Sequence, residues 1–184
     1  MTPVIIQDNF LSIEECKYLI DFYKSQPTPE KYNTTYPLNI ETNDNSLAEK
    51  ITKFGMTVNN STVDWLQIVR WPYSNSGKEL HIDDTSNKTT LSSIIYLNDD
   101  YEGGHTYFED GTSFAPVVGR AIFFDGYHYP HGVSPINKND RYTVAVWMKK
   151  NDWYDNIMVD QIISFGMSFV FICLIIEIVA VCGL

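Results

Sequence analysis

The chain of 184 residues carries a formal net charge of −10 and is 44% hydrophobic by composition. Its length suits one domain with a sizeable core and a further segment at one end. The acidic balance argues against nucleic acid as a partner, because the phosphates would be repelled rather than neutralised.

The N-terminal part predicts two helices. It opens on MTPVIIQDNFLS, which has neither a basic start nor a long apolar run, so no signal peptide is expected there. Ser12 and Glu15 have capping-box spacing, and apolar residues follow at helical intervals. A second helix is predicted over about residues 46–58. Residues 28–45, rich in Pro, Asn and Thr, are predicted to be a loop.

After Asn60 the sequence favours short strands. TVDWLQIVRW, LSSIIYLN, GRAIFFDG and RYTVAVWM are β-branched or aromatic runs separated by Gly, Asn, Asp and Pro. Short strands at such intervals are typical of an antiparallel sandwich or barrel. Because the helices come first and the strands follow, the predicted class is α+β with an all-β core. The three cysteines suggest no disulfide framework, which favours a reducing compartment.

The C-terminal segment is strongly apolar. Residues 162–184 contain one charged side chain, Glu177, and at about 1.5 Å per residue they are long enough to cross a bilayer core of roughly 30 Å. We therefore expect a domain over residues 1–156, with its core in 62–150, and a hydrophobic transmembrane helix in 160–184. A buried helix, or an aberrant reading of the 3′ end of the gene, is the alternative.

A histidine and an aspartate two residues apart suggest part of a metal site. If residues 80–84 form a strand, His81 and Asp83 point to the same face with Cα atoms roughly 7 Å apart. A third ligand is then required, and spacing leaves His105, His128 and His131 as candidates. Two histidines and one carboxylate suit the facial triad of non-haem Fe(II) oxygenases, and they also suit catalytic zinc.

Four motifs carry a family resemblance. HID (81–83), YLNDDYEGGHTYF (96–108), HGVSPI (131–136) and RYTVAVW (141–147) resemble, in order and spacing, the prolyl 4-hydroxylase branch of the 2-oxoglutarate/Fe(II)-dependent dioxygenases. The resemblance runs from about Asp64 to Met148. It implies a double-stranded β-helix (jelly-roll) core with iron at its mouth, bound by His81, Asp83 and His131, in preference to His128.

The same resemblance implies how the cosubstrate is bound. Arg141 matches the basic residue that holds the distal carboxylate of 2-oxoglutarate, and Tyr96 matches a tyrosine that helps to bind it. Thr143 is a further candidate for binding 2-oxoglutarate, through its hydroxyl. Trp71 stands where relatives often have a tyrosine, with Tyr73 nearby, and an indole N–H can donate a hydrogen bond but cannot accept one.

The activity implied is hydroxylation of an unactivated C–H bond, with peptidyl proline as the favoured substrate. The cosubstrates would be 2-oxoglutarate and O2, giving succinate and CO2, and ascorbate would be the reductant. The partner expected is a peptide or protein, and the domain is expected on the cytosolic side of a membrane or in the cytoplasm. Two alternatives stay open: a non-catalytic jelly-roll binding module and, ranked lower, a zinc hydrolase.

Overall fold

The computed structural model describes residues 4–43, 45–75, 77–83 and 89–151. The chain divides into two units, Met1–Lys150 and Asn151–Leu184. Apart from Asn151, the second unit lies outside the described residues, and the predicted transmembrane segment lies there with it. Within the described ranges, no helix has the length and apolar character needed to cross a membrane. The predicted boundaries, 1–156 and 160–184, therefore stay predictions.

Both predicted helices are confirmed. Helix α1 spans Ile13–Ser25, and its capping box is complete: the Ser12 hydroxyl accepts from the Glu15 amide, and the Glu15 carboxylate accepts from the Ser12 amide. Helix α2 spans Ser46–Asn59 and begins where the Asn45 side chain accepts hydrogen bonds from the next turn. Each cap satisfies amides that the first turn of a helix leaves unpaired.

The regular secondary structure in the remainder of the described chain is strand. The twelve strands found there are β1 (Ile5–Gln7), β2 (Tyr36–Asn39), β3 (Ser61–Trp71), β4 (Lys78–His81), β5 (Thr89–Tyr96), β6 (Glu102–Gly103), β7 (Thr106–Phe108), β8 (Ser113–Phe114), β9 (Ala121–Phe124), β10 (His131–Val133), β11 (Ile136–Asn137) and β12 (Arg141–Lys150).

The strands form two principal sheets with antiparallel pairing throughout. The larger sheet has the order β1-β9-β5-β12-β3-β2, and the smaller has the order β4-β10-β7-β8. Strands β11 and β6 make a separate two-stranded sheet. A mostly β structure with two helices in the described ranges agrees with the predicted α+β class and is consistent with a jelly-roll oxygenase fold.

The prediction of a loop over residues 28–45 is partly wrong. Strand β2 lies within that stretch and pairs with β3 at the edge of the larger sheet. It contains Pro37, which cannot donate to a neighbouring strand and is therefore tolerated at an edge. The proline that suggested a loop instead marks an edge strand. Strand β1, at the opposite edge, was also missed by sequence reasoning.

The two faces of the larger sheet have different roles. Leu66 and Ile68 of β3, with Val144 of β12, pack in one buried cluster with residues of both helices, among them Cys16 and Ile51. On the opposite face, buried side chains of β3 and β12 pack with residues from β10 and β11 (Val69, Trp71, Ala145, Val133 and Ile136). Because side chains alternate along a strand, Arg141 and Thr143 share this second face, called here the inner face.

Candidate metal centre

Three predicted ligands converge in the fold. His81, Asp83 and His131 each offer one ligand atom, and these atoms lie within 4.8 Å of one another. Nε2 of His131 is 3.8 Å from Oδ1 of Asp83, and the two imidazole rings have their centres 4.4 Å apart. The described residues contain one such cluster. Two imidazoles and a carboxylate at this spacing have the chemistry to hold one divalent transition-metal ion.

The two histidines are brought together by strand pairing. Strand β10 pairs with β4, and His131 lies directly opposite His81. Residues in such a pair have Cβ atoms about 4.5–5.5 Å apart, which suits a shared ion. The ring of His131 also packs edge-on against Phe124 of the larger sheet, with ring centres 4.6 Å apart. This contact restricts the orientation of the imidazole.

Asp83 reaches the cluster in a different way from the one predicted. Strand β4 ends at His81, so Asp83 is not part of a strand, and Asp84 lies outside the described residues. The amide of Asp83 donates to the Gly126 carbonyl at 2.7 Å, and its Oδ2 accepts from the Ser92 hydroxyl at 2.5 Å. These two hydrogen bonds, rather than strand alternation, direct the carboxylate.

Backbone carbonyls orient both imidazoles. Nδ1 of His81 lies 3.0 Å from the Glu79 carbonyl oxygen, and Nδ1 of His131 lies 3.3 Å from that of Tyr129. A carbonyl can only accept, so each Nδ1 carries the proton and each Nε2 keeps a lone pair for a metal. Burial lowers the pKa of His81 and lowers that of His131 to about 4. Both rings are therefore neutral at neutral pH, the form that binds metal.

Arg141 is a buried cation without a carboxylate partner among the described residues. It is 1% exposed, and its Nη1 donates weakly to Thr143 Oγ1 at 3.4 Å. Its Nε and Nη2 have no hydrogen-bond partner in the described part of the chain. The guanidinium carbon lies 5.3 Å from the Trp71 ring centre and 5.4 Å from that of Tyr96. An unpaired buried charge is costly, so these nitrogens fit a site for an anionic group.

Tyr101 lies beside Arg141 and was missed by sequence reasoning. Its buried hydroxyl has no hydrogen-bond partner among the described residues, and the Arg141 charge opposes the rise in pKa that burial imposes on it. Gly104 has φ +63°, and a Cβ there would meet the Tyr101 ring and Cδ of Arg141. The available signal was the position of Tyr101 inside the 96–108 motif, but buried tyrosines are common in cores.

Tyr96 and Trp71 lie beside Arg141, in arrangements that the sequence did not specify. Tyr96 is fully buried, and its hydroxyl donates to Thr106 Oγ1 at 2.8 Å while its ring faces the guanidinium. Trp71 is opposite Arg141 in the pairing of β3 with β12. Tyr73, the other candidate on that side, is 60% exposed. Their roles toward the cosubstrate stay predictions.

The other two histidines lie outside the cluster. His128 has a side chain 74% exposed and pairs with Asp125, three residues earlier. The backbone of His105 exchanges hydrogen bonds with Ser134, which fixes the loop after the two glycines. Neither residue is among the three that offer ligand atoms to one point.

Comparison with known proteins identifies a related family. Residues 66–149 match the family model described as 2OG-Fe(II) oxygenase superfamily. Human prolyl 3-hydroxylase 2 is 35% identical over 83 residues, which cover 40% of this chain and 12% of that protein. Prolyl 3-hydroxylase 1 of Gallus gallus is 40% identical over 63 residues, covering 30% and 9% of the two chains. The chain thus matches only about an eighth or less of the length of these relatives.

Solved structures share the fold at low sequence identity. The viral collagen prolyl hydroxylase of Paramecium Bursaria Chlorella virus-1, in a 2OG complex, superposes with a TM-score of 0.65 and 20% identity, covering 80% of this chain and 96% of that one. A Pseudomonas putida prolyl-4-hydroxylase gives a TM-score of 0.63 and 16% identity, covering 80% and 92%.

By the family match, residues 66–149 correspond to a 2OG-Fe(II) oxygenase domain. Within that class, the domain is homologous to the prolyl hydroxylases.

Proposed function

We propose that this chain is an Fe(II)- and 2-oxoglutarate-dependent dioxygenase that hydroxylates peptidyl proline, converting 2-oxoglutarate and O2 to succinate and CO2. The observation that carries the proposal is the convergence of His81, Asp83 and His131 in a fold that also buries Arg141 without a carboxylate partner in the described residues. The first feature fits a ferrous ion, and the second fits the distal carboxylate of the cosubstrate.

The three side chains would hold iron and leave coordination positions open for the cosubstrate and O2. Bound Fe(II) would supply the redox chemistry that activates O2 and the substrate C–H bond. The chain contributes two neutral imidazoles and one oriented carboxylate. The protein's remaining task is to position the reactants and exclude water.

The inner face of the larger sheet would bind 2-oxoglutarate. Nε and Nη2 of Arg141 form a planar pair of donors that suits a carboxylate, and the nearby Tyr101 hydroxyl supplies a further one. Thr143 lies against the same guanidinium, and Trp71 and Tyr96 flank it. The two aromatic rings favour the cation and exclude water around it.

An exposed aromatic surface near Asp83 supports the proposal of a prolyl peptide as the substrate. Trp147 stands opposite Ser92, which contacts Asp83, and its ring stacks on Trp65 at 4.6 Å. Trp65 is 43% exposed, and Trp147 is half-buried. The named relatives are prolyl 3-hydroxylases or prolyl 4-hydroxylases, so the test must determine which carbon of the proline ring is hydroxylated.

The two alternative functions fit the geometry less well. A zinc hydrolase would use the three ligands but has no role for a buried guanidinium whose Nε and Nη2 have no partner in the described part of the chain. A non-catalytic binding module has no need of three convergent ligand atoms and two neutral imidazoles. We also retain, as proposals, ascorbate as the reductant, membrane anchoring through residues 160–184 and a cytosolic position of the domain.

The test is an anaerobic titration of the full chain with Fe(II) and 2-oxoglutarate. A weak visible charge-transfer band that requires both components is expected, and its absence in folded protein would contradict the proposal. Proline-containing peptides should then gain one oxygen atom by mass spectrometry when O2 is admitted, and fragmentation should identify the modified carbon. If the protein turns over 2-oxoglutarate but no prolyl peptide stimulates the turnover, the assignment as an oxygenase stands and peptidyl proline is not its substrate.

A further inference from the structure

The carboxylate of Asp83 is held from the opposite sheet. Asp83 follows β4 of the smaller sheet, whereas Ser92 belongs to β5 of the larger one, and Ser92 is 2% exposed. The Ser92 hydroxyl lies 2.5 Å from Oδ2 of Asp83, while Oδ1 faces Nε2 of His131 at 3.8 Å. An ionised carboxylate only accepts hydrogen bonds, so the serine is the donor. The two oxygens of Asp83 therefore have different surroundings.

Gly126 makes this contact possible. A Cβ at Gly126 would collide with both the Ser92 hydroxyl oxygen and Oδ2 of Asp83. The same glycine accepts the Asp83 amide through its carbonyl. The main chain and the side chain of Asp83 are thus held by Gly126 and Ser92, with no space for a methyl group at position 126, and the position of Oδ2 is closely defined.

We propose that Ser92 is a positioning residue of the metal centre, which restricts Asp83 to binding an ion through Oδ1 alone. The inference rests on the proposed function, because it assumes an ion shared with His81 and His131. The imidazoles of those two ligands are oriented by backbone carbonyls, whereas Ser92 supplies the side-chain hydrogen bond that holds the Asp83 carboxylate.

The consequence concerns how many coordination positions stay open. Carboxylates bind metals through one oxygen or through both. With Oδ2 engaged by Ser92, Asp83 would take one coordination position of a bound iron, and three positions would be left for a chelating cosubstrate and O2. Residues that orient a metal ligand typically change metal affinity by about 10–100-fold when removed.

The test compares Ser92→Ala with Ser93→Ala in the full chain, with Co(II) as the probe metal. Ser93 is a matched control because it is 1% exposed, and its hydroxyl has no hydrogen-bond partner among the described residues. Ser92→Ala is expected to bind cobalt about 10–100-fold more weakly and to change its visible absorption, which reports coordination number. Ser93→Ala should change neither the affinity nor the spectrum.

Each outcome separates the inference from the function on which it rests. If the wild-type chain binds no cobalt, the proposed function is wrong. If it binds cobalt and Ser92→Ala binds equally well with the same spectrum, Ser92 has no positioning role. Ser92→Thr keeps the hydroxyl and should restore wild-type affinity. If Ser92→Thr and Ser92→Ala lose cobalt affinity equally, the loss is caused by altered packing and not by the missing hydroxyl, and the proposal is overturned.

Discussion

Replacing Arg141 with methionine should separate ligand binding from folding. Methionine keeps much of the side-chain volume and removes the charge and every donor. Because Nε and Nη2 have no hydrogen-bond partners in the described chain, the native fold gains little from them when no ligand is bound. A buried unpaired charge is unfavourable, so metal-free Arg141→Met should unfold at the same temperature as the wild type or higher.

The same substitution should greatly weaken the binding of 2-oxoglutarate, although it does not destabilise the fold. Two hydrogen bonds between charged groups would be lost, at about 1.5–3 kcal/mol each. The expected loss is therefore at least about 3 kcal/mol, and since 1.4 kcal/mol is tenfold in affinity, binding should weaken by roughly 100-fold or more. The flanking rings of Trp71 and Tyr96 cannot compensate, because neither supplies a charge.

Calorimetry of 2-oxoglutarate binding under anaerobic conditions with Fe(II), beside thermal unfolding of the metal-free protein, measures both effects. Arg120→Met is the matched control, since Arg120 pairs with Asp8 at the surface, and it should leave the 2-oxoglutarate affinity unchanged. An Arg141→Met protein that is folded and binds the cosubstrate like the wild type would refute the reasoning. So would a large loss of stability, which would indicate a structural role for the guanidinium.

Tyr101→Phe removes a buried hydroxyl that has no hydrogen-bond partner among the described residues, and it should weaken 2-oxoglutarate binding by up to about tenfold in the same calorimetric assay. Unchanged affinity would show that this hydroxyl does not bind the cosubstrate. His131→Asn should abolish Fe(II) binding measured by equilibrium dialysis, whereas His128→Asn, altering an exposed ring outside the cluster, should not. The metal-free protein should lose stability as the pH falls from about 6.5 toward 4. The pKa of His131 is lowered from 6.5 to about 4, so the unfolded state binds the proton first. Chemical denaturation at several pH values measures this loss, and a wild-type dependence equal to that of His131→Asn would contradict it. A chain ending at residue 155 should stay soluble and bind 2-oxoglutarate like the full chain, and a truncated protein that fails to fold would show that the tail belongs to the core.

The elements that sequence predicted well are those specified by local patterns. The capping box at Ser12 and Glu15 and the apolar spacing after it define α1 without reference to the rest of the chain. The strand runs after Asn60 were recognisable from β-branched and aromatic residues. Strand β2 was missed because its sequence, YPLN, contains a proline and gains its identity only by pairing with β3.

In the site, too, the residues in local motifs were predictable from the sequence, whereas the long-range contacts that orient them were not. The HID and HGVSPI motifs named the three candidate ligands, but the strand argument for Asp83 was wrong, since β4 ends at His81. The direction of that carboxylate depends on Ser92 and Gly126, and contacts of this kind leave no periodic signal in the sequence. Tyr101 was overlooked for a similar reason, because an unpaired hydroxyl is recognised only when its neighbours are known.

The most direct measurement is a crystal structure of the full chain with Mn(II), an inert analogue of 2-oxoglutarate and anomalous diffraction data. The account predicts one anomalous peak in coordination contact with His81 Nε2, Asp83 Oδ1 and His131 Nε2, and a carboxylate of the analogue bound to Nε and Nη2 of Arg141. A metal bound elsewhere, or an analogue that leaves Arg141 unpaired, would contradict the central claim.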